Sequence, residues 1–303
     1  MYKPLFNQFD FAWKFEFTHQ SNLFHYTNAV ALKSIIEKQE LWATKSNFLN
    51  DYTETIYILE VLNHVYNFIK ERYNSDTVEF FDLIMEDVKY DFISKQNGND
   101  SNSMFVISLS ENPDSLSLWS QYSSVDGYNI GLDLNKIINS IKQIQEENNM
   151  FDFCYLSKII YDYTQQRSIL FNELIRIYDF YKTNDDGEPD RKREALFICR
   201  SAIETYSLFF KKQQFSQEEE YRIAFTIFNR DKLKNNVDYR IGNGSFVPYI
   251  KFPISGDVPF QNITIGPKNN IDTSKYGLMH YLEHKGYQDL KNNILKSEIT
   301  LRF

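Results

Sequence analysis

The sequence predicts an α+β chain, on three observations. Short apolar runs of strand character, such as Met104 to Ser110, Tyr128 to Leu134 and Tyr221 to Phe228, do not alternate regularly with the longer stripes of helical spacing. Glycine (10) and proline (7) are scarce among 303 residues, which argues against a sandwich of many tight turns and against disordered linkers. Aromatic residues make up 17% and run along the whole chain, so no shift in composition marks a domain boundary. One domain over 1–303 is therefore expected, with an extension at 1–20 and helical insertions at about 52–95 and 165–210. A chain of this length buries a sizeable core.

The elements follow in order. Leu23-Phe24 opens a short apolar strand that ends in His25-Tyr26-Thr27. Ala29, Leu32, Ile35 and Ile36 then have helical spacing, with Thr27 or Asn28 as the cap. Leu41-Trp42-Ala43-Thr44 comes next. A second helix is expected from 51 to about 73, its stripe made by Ile58, Leu62, Val65 and Ile69. A third stripe is Phe81, Ile84, Met85, Val88 and Phe92. A polar loop over 95–103 precedes strands at 104–110 and 128–134, with a short helix or turn at 114–122 between them. Later strands are expected near 153–161, 221–228, 247–252, 262–265 and 299–303, and helices over 135–147, 165–181 and 191–210.

The net charge of −8 excludes general attraction to nucleic acid or to an anionic membrane. A local basic patch is still open, with Lys211-Lys212 and Arg191-Lys192-Arg193 as candidates, and Lys158 would join Lys211 and Lys212 in a rim. Cys154 and Cys199 sit in apolar contexts without metal-ligand spacing, which points to buried thiols in a reducing compartment. No run approaches the roughly 20 apolar residues of a membrane span. Met1-Tyr2-Lys3-Pro4 begins no signal-peptide core. A cytoplasmic chain without a membrane partner is expected.

Polar residues gather at a few places. His25 ends the first strand where it can orient a hydroxyl, although for a lone histidine a hydrogen bond to a backbone carbonyl is the better explanation. Tyr26 offers a stacking ring or a core aromatic, and Thr27 a ligand contact or a helix cap. Asp51 and Glu54 fit a capping box, which leaves Asn50 to hold its loop or touch a ligand. Ser108 and Ser110 end a buried strand and could bond a ribose or phosphate. Trp119 and Tyr122 stand at i and i+3 and supply rings, with a core anchor as the alternative for Trp119. Alternation puts Glu218, Glu220 and Arg222 on one side of a strand whose other side, Tyr221, Ile223, Phe225 and Ile227, is apolar. That pattern is a surface ion pair or, if both faces are covered, a site. His280 and His284 at i and i+4 lack the glutamate and third ligand of a zinc site, and a solvated helix explains them.

At these residues the chain resembles a family of uncharacterised, mostly bacterial proteins defined only as a domain of unknown function. The resemblance runs from about Leu23 to Gly266. It rests on Phe24-His25-Tyr26-Thr27, Leu41-Trp42, Phe48-Leu49-Asn50-Asp51 with Glu54, Ser108-Leu109-Ser110, Trp119-Ser120-Gln121-Tyr122, Gly127 through Asp133, and Lys212 leading into Glu218-Glu219-Glu220-Tyr221-Arg222. Phe215 stands where tryptophan is expected. More remotely the layout is similar to ADP-ribosyltransferases, which implies a split β-sandwich with helical insertions. It also implies NAD as substrate and His25, Tyr122 and Glu220 as catalytic residues. Tyr26, Thr27, Asn50, Ser108, Ser110, Trp119, Glu218 and Arg222 would then contact the dinucleotide. The acceptor would be a protein nucleophile, a single-stranded nucleic-acid base or water, and the setting a toxin or antiphage effector, with a regulatory protein partner as a further expectation. A silent nucleotide- or partner-binding sensor or scaffold is the alternative. A metal-dependent nuclease using Asp51, Glu54, Glu218 and Glu220 is the third.

Overall fold

A computed structural model describes residues 22–49, 54–96, 103–123, 127–185, 187–242, 244–254, 258–269 and 271–300. Ten strands and ten α-helices are found among them. The strands are β1 (Asn22–Thr27), β2 (Glu40–Lys45), β3 (Ser103–Ser110), β4 (Tyr128–Asp133), β5 (Phe153–Lys158), β6 (Glu220–Ile227), β7 (Val237–Gly242), β8 (Ser245–Pro253), β9 (Phe260–Ile265) and β10 (Ile294–Lys296). The helices are α1 (Ala29–Lys38), α2 (Glu54–Arg72), α3 (Ser75–Gln96), α4 (Leu116–Tyr122), α5 (Leu134–Asn148), α6 (Tyr163–Thr183), α7 (Pro189–Ser207), α8 (Arg230–Asn236), α9 (Ile271–His284) and α10 (Gln288–Asn292). The chain is α+β.

The described residues fall into two compact units. The first, from within Leu49–Asn102 and Ile159–Phe215, is helical, and α2, α3, α6 and α7 supply the stretches the sequence sets apart as insertions. Its core joins Ile58, Leu62, Val65 and Ile69 of α2 to Phe81, Ile84 and Val88 of α3, with Leu170 and Ile203 from the other two helices. Each helix buries one stripe of period 3.6, which makes them find one another. Gln166 is the polar residue at its centre. It accepts from Tyr57 Oη (2.8 Å) and donates to the carbonyls of Ile160 (2.6 Å) and Lys211 (2.9 Å), so its burial leaves no group unsatisfied.

The second unit holds every strand found among the described residues. Strand order is β10-β9-β4-β1-β3-β2-β8-β7, with β6 on β3 and β5 on β6. All pairs are antiparallel except β9 with β10. The sheet forks at β3. One edge of β3 pairs with β6 along its whole length, Ser103↔Ile227 to Ser110↔Glu220. The other edge is shared: β1 meets it only at Phe24↔Ser110, and β2 only at Thr44↔Val106 and Lys45↔Phe105. Between those contacts β1 and β2 diverge, and α1 spans the gap in the chain.

Two expectations change. Among the described residues the last strand is Ile294–Lys296, which runs parallel to Ile263–Ile265, and 297–300 is irregular; the rest of the strand expected at 299–303 lies outside the described residues. The segment after Lys296 is held instead by Asp114, which accepts from Ser297 Oγ and Glu298 N, each at 2.7 Å. The strands β2 and β7 are absent from the expected set: β2 pairs with β8 from Glu40↔Pro253 to Thr44↔Tyr249, and the edge strand β7 pairs with β8 from Val237↔Ile250 to Gly242↔Ser245.

Candidate functional site

The fork in the sheet makes a cleft of about 300 Å³. Its walls are the end of β1 (His25, Tyr26, Thr27), one face of α1 (Ala31, Ser34, Ile35), the residues Glu40, Trp42 and Thr44 of β2, then Tyr122 and Arg240. Each wall has a local cause. Asn28 starts α1 by accepting from Ala31 N (2.9 Å), while Leu32, Ile35 and Ile36 turn inward. Gln39 ends the helix in the left-handed region (φ 50°), its N–H bonded to Ile35 O, and so aims the chain into β2. In β2 the buried Leu41 and Ala43 alternate with Glu40, Trp42 and Thr44, which sends the second set to the cleft.

His25 stands at the fork. Its Nδ1 lies 3.2 Å from Ser108 O, on the stretch of β3 that neither β1 nor β2 pairs. A carbonyl only accepts, so Nδ1 carries the proton and Nε2 of the neutral ring is an acceptor. Desolvation lowers the His25 pKa from its ordinary 6.5, and the bond to Ser108 opposes this only in part. The ring is neutral at pH 7. A neutral imidazole with a free acceptor suits a ligand hydroxyl.

The other rings differ in availability. Trp42 stacks on Tyr249 (centroids 4.2 Å, 24°), and its Nε1 donates to Glu40 Oε1 at 2.9 Å. Arg240 reaches Thr44 Oγ1 at 3.4 Å and is the guanidinium of the cleft. Tyr122 is 37% exposed at the end of α4. Tyr26 lines the cleft too, but its hydroxyl donates to Asn112 O (2.8 Å) and accepts from Ser115 N (2.9 Å), and burial pushes its pKa up. Trp119 has no stacking role: it is fully buried, edge-on to Tyr26 at 4.8 Å, with Nε1 donated to Asp114 (2.7 Å). A ring packed all round has no face left for a ligand. Thr27 is buried in its pair with Tyr128, and the cap is Asn28. Asn50 and Asp51 lie outside the described residues, as does the side chain of Glu54.

The acidic strand is arranged otherwise than alternation predicts. Glu218 belongs to a 3₁₀ turn, Gln213–Glu218, and Glu219 is in the left-handed region (φ 44°), so β6 begins only at Glu220. The residue with positive φ breaks the two-residue period, and Glu218 shares no strand face with the other two. Its carbonyl accepts from Ser110 Oγ at 2.8 Å. β6 is an interior strand buried along its length, flanked by β3 and β5. Glu220 and Arg222 share a face and form a two-pronged pair: Nε to Oε1 at 2.7 Å and Nη2 to Oε2 at 2.9 Å, with 6% and 2% of the side chains exposed. Register pairs Arg222 with Ser108 and Glu220 with Ser110. Glu220 is thus on the far edge of β3 from the cleft, and it does not line it.

The structure therefore joins His25, Tyr26, Thr27 and Tyr122 around one cleft, and joins Ser108, Ser110, Glu220 and Arg222 on neighbouring strands. Ser108 links the two groups through its carbonyl. Glu40, Trp42, Thr44 and Arg240 were not singled out as site residues. The alternation of Glu40, Trp42 and Thr44 with apolar partners is a signal that could have found three of them, whereas Arg240 arrives from a distant hairpin with no local signal. Among the described residues no group of three histidine, cysteine or acidic side chains could hold a metal ion.

Residues 118–223 match the model of a family described as a protein of unknown function, DUF2971. The matched span contains Trp119, Tyr122, Glu218, Glu220 and Arg222, while the β1, α1 and β2 walls precede it. No curated protein and no solved structure matches the chain. No helix among the described residues is long and apolar enough to cross a membrane.

Proposed function

We propose that the cleft between β1, α1 and β2 binds a nucleotide, NAD being the ligand that the resemblance to ADP-ribosyltransferases implies, and that the chain senses this ligand without cleaving it. The Glu220–Arg222 pair is the observation that carries the reading. To stabilise an oxocarbenium-like state a carboxylate must reach the ribose hydroxyl, and Glu220, bonded through both oxygens to Arg222 and only 6% exposed, does not line the cleft. What the cleft does offer is recognition. The His25 Nε2 accepts a hydroxyl, Trp42 and Tyr122 are rings for a planar group, and Arg240 is a cation for a diphosphate.

ADP-ribosyl transfer is the second reading, favoured by the seat of His25 at the end of the first strand and at the fork of the sheet. In that reading Arg222 positions Glu220. The bond from C1′ to nicotinamide breaks, nicotinamide departs with the electron pair, and a protein nucleophile, a single-stranded base or water takes its place and loses a proton.

One experiment tests both: calorimetric titration with NAD beside measurement of nicotinamide release, for the wild type and for Glu220→Gln. NAD binding without release in either protein supports the sensor. Release that is lost in Glu220→Gln, by about a hundredfold or more if one preorganised contact is removed, replaces it by the transferase. No binding and no release overturns both.

A further inference from the structure

On the opposite face of the β2–β8–β7 section lies a second pocket, and we propose that it is a nucleotide-phosphate site, distinct from the cleft and independent of the reading given to it. Successive residues of a strand point to opposite faces. Thr44 and Arg240 line the cleft, so their neighbours Lys45 and Tyr239 line this pocket. Its volume is about 360 Å³, room for one ring and its phosphate.

Among the described residues the walls are cationic and apolar apart from Ser103, and none of them is acidic. Arg230, Leu233 and Lys234 come from α8 at i, i+3 and i+4, so one helical face presents both cations above the apolar Leu233. Of the other charges of that helix, Lys232 bonds Asp152 at 3.0 Å, and Asp231 is not among the pocket's walls. Lys45 follows Leu41 and Ala43 on the core side of β2 and emerges where that core ends, opposite Phe105. The Tyr239 ring is 60% exposed beside Pro248, its partner across the hairpin. Three cations converging on one pocket match a compact phosphate better than spaced carboxylates, and an exposed ring on a sheet face is a stacking platform for a base. In a chain of net charge −8 this is a local reversal of sign. Of the rim expected from Lys158, Lys211 and Lys212, Lys158 is paired with Glu111 at 2.9 Å, Lys211 is buried and Lys212 stands over the Tyr57 ring at 5.5 Å.

The phosphate can come from a free nucleotide or from a single strand, and the test separates these. A fluorescein-labelled thymidylate octamer is titrated by anisotropy at several salt concentrations, with thymidine 5′-monophosphate as competitor. Wild type is expected to bind. Arg230→Gln with Lys234→Gln should flatten the slope of log affinity against log salt by about 1.4, two phosphates at about 0.7 each. Tyr239→Ala should weaken the octamer at least about fivefold. If only the monophosphate binds, with a loss of affinity in the same variants, the site takes free nucleotide. If neither probe binds, or binding ignores all three substitutions, the proposal is wrong. NAD titration of these variants, whose altered residues lie outside the cleft, shows separately whether the other reading holds.

Discussion

Glu220 and Arg222 illustrate how a residue pattern can be legible while its meaning is not. Alternation correctly put the two on one side of a strand, and the apolar opposite side hinted at burial of both faces. Their mutual geometry, two hydrogen bonds of 2.7 and 2.9 Å, follows from side-chain rotamers that no spacing encodes. Removing one partner of such a pair strands a buried charge. Arg222→Ala is expected to lower the unfolding free energy by about 3–5 kcal/mol, read from urea denaturation, and Glu220→Gln by less because an amide still bonds the guanidinium. His25 gives a pH signature. Its folded pKa lies below 6.5, so the unfolded chain takes up a proton first as pH falls. The contribution of the neutral ring is intact above pH 6.5 and is lost progressively below it. Denaturation midpoints of wild type and His25→Gln should therefore converge as pH drops from 7.5 to 5.

Among the elements, α1 was legible in its stripe at 32, 35 and 36, whereas Ala29 is exposed and the cap, left open between Thr27 and Asn28, is Asn28. Asn28→Ala should cost about 1 kcal/mol in a thermal melt. β7 was missed for a physical reason. Its Tyr239 and Ile241 alternate with Asp238 and Arg240 but stay 60% and 67% exposed, so at this sheet edge alternation does not mark a core-facing side. The strand at Glu220 was found, yet Glu218 was put on its face because the left-handed Glu219 is invisible to hydrophobic pattern. Close approach is also unreadable. At Gly127 a Cβ would stand 2.5 Å from Thr27 O and from Ser123 Cβ, backbone and side chain that hold the cleft end of β1. Gly127→Ala is expected to destabilise by about 1–3 kcal/mol, measured by the same melt.

At the scale of the whole chain, the cleft belongs to the unit that holds the strands, and the helical unit has its own core. Leu170→Ala, at a fully buried position of that helical core, should lower stability by about 2–5 kcal/mol in urea while leaving the NAD affinity of the still-folded protein unchanged. Ligand linkage gives a complementary reading. NAD at a hundredfold excess over its Kd should raise unfolding free energy by about 2.7 kcal/mol, visible as a concentration-dependent rise in Tm.

By itself the sequence determined the α+β class, most helices and strands, and a polar cluster at the end of the first strand, because hydrophobic period and capping are local properties of the chain. Tertiary structure alone decided that β1 and β2 part company at β3, that Arg240 joins them, and that Glu220 is spoken for by Arg222. The first two depend on pairing between strands far apart in sequence and on which edge of β3 each strand takes, as in the His25–Ser108 bond with its separation of 83, and the third on side-chain geometry within β6. Pairing of that kind is selected by the global packing of the sheet, and no local window of residues contains it.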